Sequence, residues 1–188
     1  MQSDPKYDAA LRDQLRAALQ TRSIIFGKIT LSSGRQSDYY IDGRMTSLSA
    51  EGAYLAARIW LPFLRDVSAV GGLTLGADPL VGAILYACRT EQIPMDGFIV
   101  RKEAKQHGTM KQVEGPLKAG SRVAVVEDVV TSGGSAWKAI EAVRAKGCEV
   151  ARVLALVDRE EGAVEFFRAK GVPYLPVFCK SEFQLSPK

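Results

Sequence analysis

The chain has 188 residues, of which 47% are hydrophobic and 24% charged, which is typical of one ordinary globular domain with a sizeable core. The formal net charge is +4, and both signs are mixed along most of the chain, which favours a small anionic ligand over nucleic acid. The three cysteines are widely spaced and none has a CxxC or CxxH partner, so neither a disulfide scaffold nor a zinc site is predicted.

The N-terminal segment is predicted to be a charged helix that packs as a lid on the main domain. Asp4 is the expected N-cap, Pro5 lies in the first turn, and Leu11, Leu15 and Leu19 share one face. The segment lacks the apolar core of a signal peptide, and no apolar run approaches the length of a membrane span. We therefore expect a cytoplasmic protein that does not bind membranes.

A hairpin and a helix are predicted next. Residues 24–42 contain two β-type runs around the turn sequence SSG at 32–34. Ser49 then opens an apolar helix that extends to about Leu64 and is interrupted by Pro62.

From Val67 onward, short apolar runs alternate with helical patterns. The runs are VSAV, GFIV, VAVV and VLALV, and this alternation predicts a mostly parallel sheet with helices on both faces. The expected fold class is α/β, in one domain over residues 1–188, with a hood of helix and hairpin over about 1–48. Residues 101–120 form a polar connection too long for an ordinary loop, which indicates a functional lid or a disordered linker.

The segment 123–140 is predicted to form a strand, a phosphate-binding loop and a helix. The apolar run VAVV precedes the loop sequence EDVVTSGGS at 127–135, and a helical pattern that ends before Gly147 follows it. Glycines let backbone amides turn inward, hydroxyl groups add donors, and the helix N-terminus favours an anion. The loop lacks both the GKS or GKT of a Walker loop and the GxGxxG pattern, so ATP and dinucleotide binding lose support.

Two adjacent carboxylates complete this predicted site. Glu127 and Asp128 follow the strand at the sheet edge where ligands of open α/β sheets bind, and carboxylates accept hydrogen bonds from ribose hydroxyls. Phosphate on the loop and hydroxyls on the acids together describe a ribose 5-phosphate. The alternative is a capped helix that follows an exposed acidic pair.

Two further segments could complete an anion site. GGLTLGADPLVGA at 71–83 places glycines before a helix with Asp78 as its expected cap and Pro79 as its first residue, although a capped glycine-rich turn explains that pattern too. RKEAKQHGTMKQVEG at 101–115 is rich in cations and holds the single histidine, His107. A cationic strip beside anion sites favours a closing lid, and the alternatives are a solvated charged loop or a nucleic-acid contact.

The motifs resemble those of a known family. VVEDVVTSGGS is similar to the ribose phosphate motif of the type I phosphoribosyltransferases, and RKxxKxH resembles the catalytic loop of the orotate phosphoribosyltransferases. LSSGRQSDYYID, GADP and DREEG follow the same family order, so the resemblance spans residues 20–170.

The resemblance implies a site, residue by residue. The implied ligands of phosphoribosyl pyrophosphate are Arg101, Lys102, Lys105, His107, Glu127, Asp128, Val129, Val130, Thr131, Ser132, Gly133, Gly134, Ser135, Thr74, Leu75 and Gly76. The implied catalytic residues are Lys105, His107, Arg101, Lys102 and Asp128. The implied orotate contacts are Thr131, Arg159, Tyr39 and Tyr40. A planar guanidinium such as that of Arg159 can pair bidentately with a carboxylate.

The family resemblance also implies the reaction and its partners. Orotate and phosphoribosyl pyrophosphate would give orotidine 5'-monophosphate and pyrophosphate with Mg²⁺, in pyrimidine synthesis, and the ion would be held mainly by substrate pyrophosphate and water. A homodimer is expected, in which loop 101–116 reaches the neighbouring subunit's site. The sequence departs from many family members at Ser32 and Gly76, where those members have lysines.

Two other functions remain open from the sequence. One is a phosphoribosyltransferase for another base, such as a purine, which the DREEG and RKxxKxH features disfavour. The other is a regulator that senses phosphoribosyl pyrophosphate and binds nucleic acid. No appended helix-turn-helix and no strongly basic face support that regulator.

Overall fold

The structure is a computed structural model that describes residues 7–30, 36–103 and 112–186. The helices in these ranges are α1 (Ala9–Arg22), α2 (Arg44–Ser47), α3 (Ala50–Trp60), α4 (Asp78–Thr90), α5 (Gly134–Ala145) and α6 (Ala163–Ala169). The strands are β1 (Ile24–Thr30), β2 (Gln36–Ile41), β3 (Ala69–Leu73), β4 (Asp96–Val100), β5 (Val113–Glu114), β6 (Arg122–Val130), β7 (Glu149–Asp158) and β8 (Tyr174–Cys179). Short 3-10 turns cover Leu61–Phe63 and Lys180–Glu182.

Six strands form the central sheet in the order β5-β4-β3-β6-β7-β8. Every neighbouring pair is parallel except β4 with β5, which is antiparallel. The chain moves outward from β3 to β4 and then returns to the other side of β3 with β6. The strand order therefore reverses between β3 and β6, and the carboxyl ends of these two strands open a crevice of the kind that binds ligands in α/β sheets.

Alternating side chains of the buried strands supply two hydrophobic cores. Ala124 and Val126 of β6 belong to a cluster with α1, α3 and α4. Val123 and Val125 point the other way and join a cluster with α5 and α6. The helices thus cover both faces of the sheet, as the continuous apolar runs predicted. The α/β fold class is confirmed.

The N-terminal hood is also confirmed, with one correction. β1 and β2 form a separate antiparallel hairpin, and its turn residues lie outside the described ranges. Helix α1 begins at Ala9, and the side chain of Asp8 accepts a hydrogen bond from Leu11 N at 2.9 Å. The predicted cap Asp4 was wrong because a second acidic residue, one turn later, performs the capping.

The sheet contains strands that the sequence patterns did not reveal. β5 is two residues long and lies within the polar connection, and β8 is an edge strand that contains Pro176, a position where proline is tolerated. β3 also continues through Gly71 and Gly72, which were assigned to a loop. A Cβ at Gly71 would lie 2.1 Å from the carbonyl oxygen of Phe98, so the missing side chain serves close strand packing.

Ion pairs hold the sheet near the amino ends of β6 and β7. Arg152 contacts both oxygens of Asp66, with Nη1–Oδ1 at 2.7 Å and Nη2–Oδ2 at 2.6 Å, and Arg122 Nη2 lies 3.2 Å from Oδ2. The bond from Arg152 is the main reason that the pKa of Asp66 falls to about 2. This network stabilises the end of the sheet away from the crevice. In the described ranges, no helix combines the length and apolar character needed to cross a membrane.

Candidate active site

A cavity of about 500 Å³ lies at the carboxyl edge of the sheet, where the strand order reverses. Its walls come from the hairpin, the turn before α2, the loops after β3 and β6, and the ends of β4 and β7. The lining residues are Ile29, Tyr40, Ile41, Asp42, Gly43, Arg44, Leu73, Thr74, Leu75, Gly76, Lys102, Glu127, Asp128, Val129, Thr131, Ser135 and Arg159. The pocket therefore joins segments that are far apart in the sequence.

The loop after β6 presents hydroxyl groups and a helix N-terminus to the pocket. Thr131 and Ser135 are exposed and line it. Gly133 has φ +91°, a left-handed conformation, and a Cβ there would lie 2.9 Å from Phe166. The glycine is required because it lets the chain turn directly into α5 above this aromatic side chain. The free amides of the first helical turn can bind an anion.

The loop is shorter than predicted, because the strand continues through the acidic pair. Glu127, Asp128, Val129 and Val130 are the last four residues of β6, and Val130 is almost fully buried. Ser132 and Gly134 belong to the turn and the start of α5 but do not line the pocket.

The acidic pair is buried at the base of the pocket. Glu127 is 7% exposed and Asp128 is 8% exposed. The pKa of Glu127 is raised to about 8, chiefly by burial and also by the charge of Asp128, while Lys102 opposes the shift. Burial also raises the pKa of Asp128, although its Oδ1 accepts a hydrogen bond from Val129 N at 2.9 Å. Glu127 Oε2 is buried and has no hydrogen-bond partner in the described part of the chain, so it is available to a ligand hydroxyl.

The loop after β3 lies against the acidic pair. Asp78 is the first residue of α4 and makes no side-chain cap bond, which corrects the predicted cap. Its Oδ2 instead accepts a hydrogen bond from the hydroxyl of Thr74 at 2.8 Å, which ties the loop to the helix. A Cβ at Gly76 would lie only 2.6 Å from Asp128 Oδ1, so a side chain at this position, where many family members have lysine, would require the Asp128 carboxylate to shift.

Arg159 reaches the pocket from the end of β7. Its side chain is only 10% exposed, and Nη2 lies 2.8 Å from Oε1 of Glu161. The backbone N of Arg159 donates a hydrogen bond to the carbonyl of Val130 at 2.8 Å, which ties β7 to the phosphate loop. A nearly buried guanidinium in such a pocket can pair with a planar carboxylate.

The described part of the predicted lid places one cation at the pocket. Lys102 is exposed and lines it, whereas Arg101 Nε donates a hydrogen bond to Glu114 Oε1 at 3.0 Å. Lys105 and His107 lie outside the described residues. Their predicted roles stay predictions.

The two tyrosines of β2 have different surroundings. Tyr40 lines the pocket, while Tyr39 is partly buried against the core cluster that includes α1 and α3. Alternation along a strand explains this difference, because successive side chains point to opposite faces. Tyr40 is therefore better placed than Tyr39 to contact a bound base.

Sequence reasoning did not find the turn at residues 42–44. Arg44 donates from Nε and Nη2 to the two oxygens of Asp42, both at 2.8 Å, and the hydrogen bond from Arg44 lowers the pKa of Asp42. Gly43 lies against the acidic pair, since a Cβ there would be 2.7 Å from the Cβ of Asp128. The available signal was the charged DGR sequence directly after a β-type run.

Comparisons with known proteins agree with this geometry. Residues 69–170 match the phosphoribosyl transferase domain. The chain is 48% identical to the orotate phosphoribosyltransferase of Rhodopseudomonas palustris strain TIE-1, over 93% of this chain and 97% of that protein. It is 44% identical to the orotate phosphoribosyltransferase of Streptomyces coelicolor, over 93% of this chain and 98% of that protein.

A solved structure gives the same result. The Mycobacterium tuberculosis orotate phosphoribosyltransferase in complex with 5-phospho-alpha-D-ribosyl 1-diphosphate is 38% identical, with a TM-score of 0.78, over 92% of this chain and 98% of that chain. Identity at this level over nearly the whole length, together with the same fold, leads to one conclusion. The chain belongs to the orotate phosphoribosyltransferase family.

Proposed function

We propose that this protein transfers the 5-phosphoribosyl group from phosphoribosyl pyrophosphate to orotate, which yields orotidine 5'-monophosphate and pyrophosphate in pyrimidine synthesis. One observation carries the proposal. The phosphate loop, the acidic pair and Arg159 line one pocket of about 500 Å³. These groups match the phosphate and hydroxyls of a ribose 5-phosphate and the carboxylate of orotate.

The anchoring half of the site binds the sugar phosphate. Thr131, Ser135 and the amides at the start of α5 bind the 5-phosphate, because hydroxyl donors and a helix N-terminus favour an anion. Glu127 and Asp128 hold the ribose hydroxyls with their buried oxygens. The sugar is thereby fixed so that its anomeric carbon faces the remaining space in the pocket.

The reacting half of the site holds the base and the leaving group. Arg159 binds the orotate carboxylate, and Thr131 and Tyr40 contact the base. A ring nitrogen of orotate loses its proton to water and forms the new bond to the anomeric carbon, while the bond from that carbon to pyrophosphate breaks and pyrophosphate leaves with its electron pair. Negative charge accumulates on the pyrophosphate, and the amides of the loop at 74–76 and the cations of the lid stabilise it.

The pocket is suited to a substrate that carries Mg²⁺. The ion prefers hard oxygen ligands, and the carboxylate oxygens of Glu127 and Asp128 line the pocket. Pyrophosphate oxygens and water would supply most of its coordination. When bound, the ion neutralises charge that develops on the leaving group.

A base panel tests the choice of acceptor. Pyrophosphate release is measured with phosphoribosyl pyrophosphate, Mg²⁺ and one base at a time, with orotate, adenine, guanine and hypoxanthine compared at equal concentration. We expect release with orotate alone. Release with a purine and none with orotate would replace the proposal by the purine alternative. If none of the four bases produced pyrophosphate release, a binding regulator would be the better account.

The lid is tested by Lys105→Ala. We expect kcat to fall on the order of thirtyfold, less than for loss of a fixed oxyanion donor, because the four cationic residues assigned to the lid share the leaving-group charge. The thermal midpoint should stay within a degree or so, since Lys105 is assigned to catalysis and belongs to none of the predicted core elements. Kinetics and a melting curve on the same sample check both statements. Near-normal turnover would remove Lys105 from the catalytic set.

We also propose a homodimer whose lids are shared between subunits. Helices α2, α3 and α4 contact one another, and their region exposes Met45, Leu48, Tyr54 and Tyr86, with exposed fractions of 53%, 73%, 59% and 76%. Large apolar side chains left exposed on neighbouring elements support a surface that another copy covers.

A mixing experiment tests lid sharing. Lys105→Ala has an intact pocket, and Asp128→Asn has an intact lid, so a hybrid of the two regains one complete site only if the lid acts across the interface. We expect partial recovery of activity after the variants are unfolded together and refolded. Activity no greater than the sum of the separate variants would show that each chain closes its own site. The homodimers of each variant, refolded alone, are the controls.

Cytoplasmic placement is supported by cysteine chemistry. Cys88, Cys148 and Cys179 are free thiols in the structure, which suits a reducing compartment.

A further inference from the structure

The turn that follows β7 is fixed at several points. Asp158 Oδ1 accepts a hydrogen bond from Glu160 N at 2.7 Å. Glu160 has φ 57°, a left-handed conformation uncommon for a residue with a side chain, and its carboxylate accepts hydrogen bonds from Ser181 N at 2.8 Å and Ser181 Oγ at 3.0 Å. The backbone of residues 158–161 is therefore held in a single conformation.

This turn presents a nearly buried cation to the pocket. The Arg159 side chain is 10% exposed, and Nη2 lies 2.8 Å from Oε1 of Glu161. Arg159 Nε is buried and has no hydrogen-bond partner in the part of the chain that the structure describes. A charge so removed from water needs a counter-ion, and Glu161 is the carboxylate that the described geometry places in contact with it.

Arg159 and Glu161 differ in their access to the pocket. Arg159 is among the lining residues and Glu161 is not. The described contact between Glu161 and this pocket therefore runs through the Arg159 guanidinium. A long arginine side chain has several rotamers, and an ion pair at one edge selects among them while other N–H groups stay available.

We propose that Glu161 is a positioning residue, which holds the Arg159 guanidinium in the orientation that binds the carboxylate of the acceptor base. The inference rests on the proposed function, in that it assumes a carboxylate-bearing base in this pocket. Without Glu161, the Arg159 guanidinium would turn toward another acid of the same region. Binding of the base would then have to reorient the guanidinium, at a cost in binding free energy. We expect this cost to exceed the relief of repulsion between Glu161 and the incoming carboxylate, and the sign of the change in KM decides between them.

Glu161→Gln tests the proposal. We expect the KM for orotate to rise about tenfold. This is the lower end of the range of effects expected for loss of one hydrogen bond between charged groups. kcat should change little, because Arg159 contacts the orotate carboxylate equally in the bound substrate and in the transition state. The KM for phosphoribosyl pyrophosphate should also change little, because the groups assigned to that substrate are unchanged. KM does not depend on the fraction of folded enzyme, so partial misfolding would not imitate this result.

Two controls separate positioning from other effects. Glu165→Gln removes the same charge from an exposed site on α6 and should leave the KM for orotate unchanged. In an Arg159→Ala background, Glu161→Gln should have no further effect, because in a double-mutant cycle a residue that acts only through another loses its influence when that partner is removed.

The outcomes are distinguishable from failure of the proposed function. An unchanged or lower KM for orotate in Glu161→Gln would overturn the positioning role, as would an equal effect in the Arg159→Ala background. Wild-type protein without orotate-dependent turnover would instead overturn the proposed function before any variant is compared.

Discussion

Arg159→Ala should lower kcat/KM for orotate by more than a hundredfold, mainly through KM. The side chain is 10% exposed and sits in the pocket beside the phosphate loop. Truncation of one partner of a nearly buried charge pair costs about 3 kcal/mol, and each 1.4 kcal/mol corresponds to about a tenfold change. Binding of phosphoribosyl pyrophosphate should persist, because the groups assigned to that substrate are unchanged. Initial rates over a range of both substrates measure the two constants separately.

A matched arginine provides the control. Arg168 is exposed on α6 and does not line the pocket, so Arg168→Ala should retain wild-type constants. Equal losses in the two variants would mean that overall charge, and not the contact with the base, governs orotate binding. A loss confined to the phosphoribosyl pyrophosphate constant in Arg159→Ala would assign this residue to the other substrate.

Glu127→Gln should stabilise the protein at pH 8 by about 2 to 4 kcal/mol relative to wild type. Burial raises the pKa of Glu127 from 4.5 to about 8. As the pH rises from 4.5 to 8, the unfolded chain loses this proton while the folded protein keeps it, so the stability of wild type falls over that window. Below pH 4.5 both states hold the proton, and the penalty vanishes. A neutral amide removes the pH-dependent penalty altogether.

Denaturant unfolding at pH 4.5, 6 and 8 measures this effect. The stability difference between Glu127→Gln and wild type should grow from the lowest pH to the highest. Glu141→Gln, an exposed position on α5, is the matched control and should show no such growth. A difference that is independent of pH would contradict a raised pKa and would assign the change to packing of the amide.

The raised pKa of Glu127 also indicates that this buried acid in the proposed site lowers the stability of the folded protein above pH 4.5. Apolar residues at positions 127 and 128 would suit the surrounding core, yet β6 has two buried acids there, and burial disfavours their charged form. Such a cost is common where a pocket is preorganised for a ligand. Glu127 Oε2 lacks a partner in the described part of the chain, and a ribose hydroxyl would supply one.

Much of the fold followed from local sequence patterns. The apolar run before residue 127 and the helical spacing after residue 135 predicted β6 and α5, because burial on both faces and the 3.6-residue period leave clear signals. Ser49 was correctly expected to open α3, and its side chain accepts a hydrogen bond from Gly52 N at 3.1 Å. Two strands were missed for physical reasons, since β5 is too short to show alternation and β8 contains Pro176. The helices α2 and α6, of four and seven residues, were missed as well, because such short helices show little of the 3.6-residue period.

The residues that line the pocket were predictable where one residue type suits one chemical task. The glycines and hydroxyls of the phosphate loop are next to each other in the sequence, and Arg159 was identified through the DREEG resemblance. Asp42, Gly43 and Arg44 line this pocket because the turn after the hairpin lies against Asp128 of β6, a long-range contact that no local pattern encodes. The ion pair between Arg159 and Glu161 likewise requires a turn whose conformation Ser181, far along the chain, helps to fix.

The most direct test of the central claim is the absorbance of orotate in a mixture with the protein, phosphoribosyl pyrophosphate and Mg²⁺. The proposed site predicts a steady loss of absorbance with formation of orotidine 5'-monophosphate, and the loss should stop when phosphoribosyl pyrophosphate is omitted or the metal ion is chelated. Unchanged absorbance in the complete mixture, with folded protein across a range of pH and concentration, would contradict the assignment of orotate phosphoribosyltransferase activity.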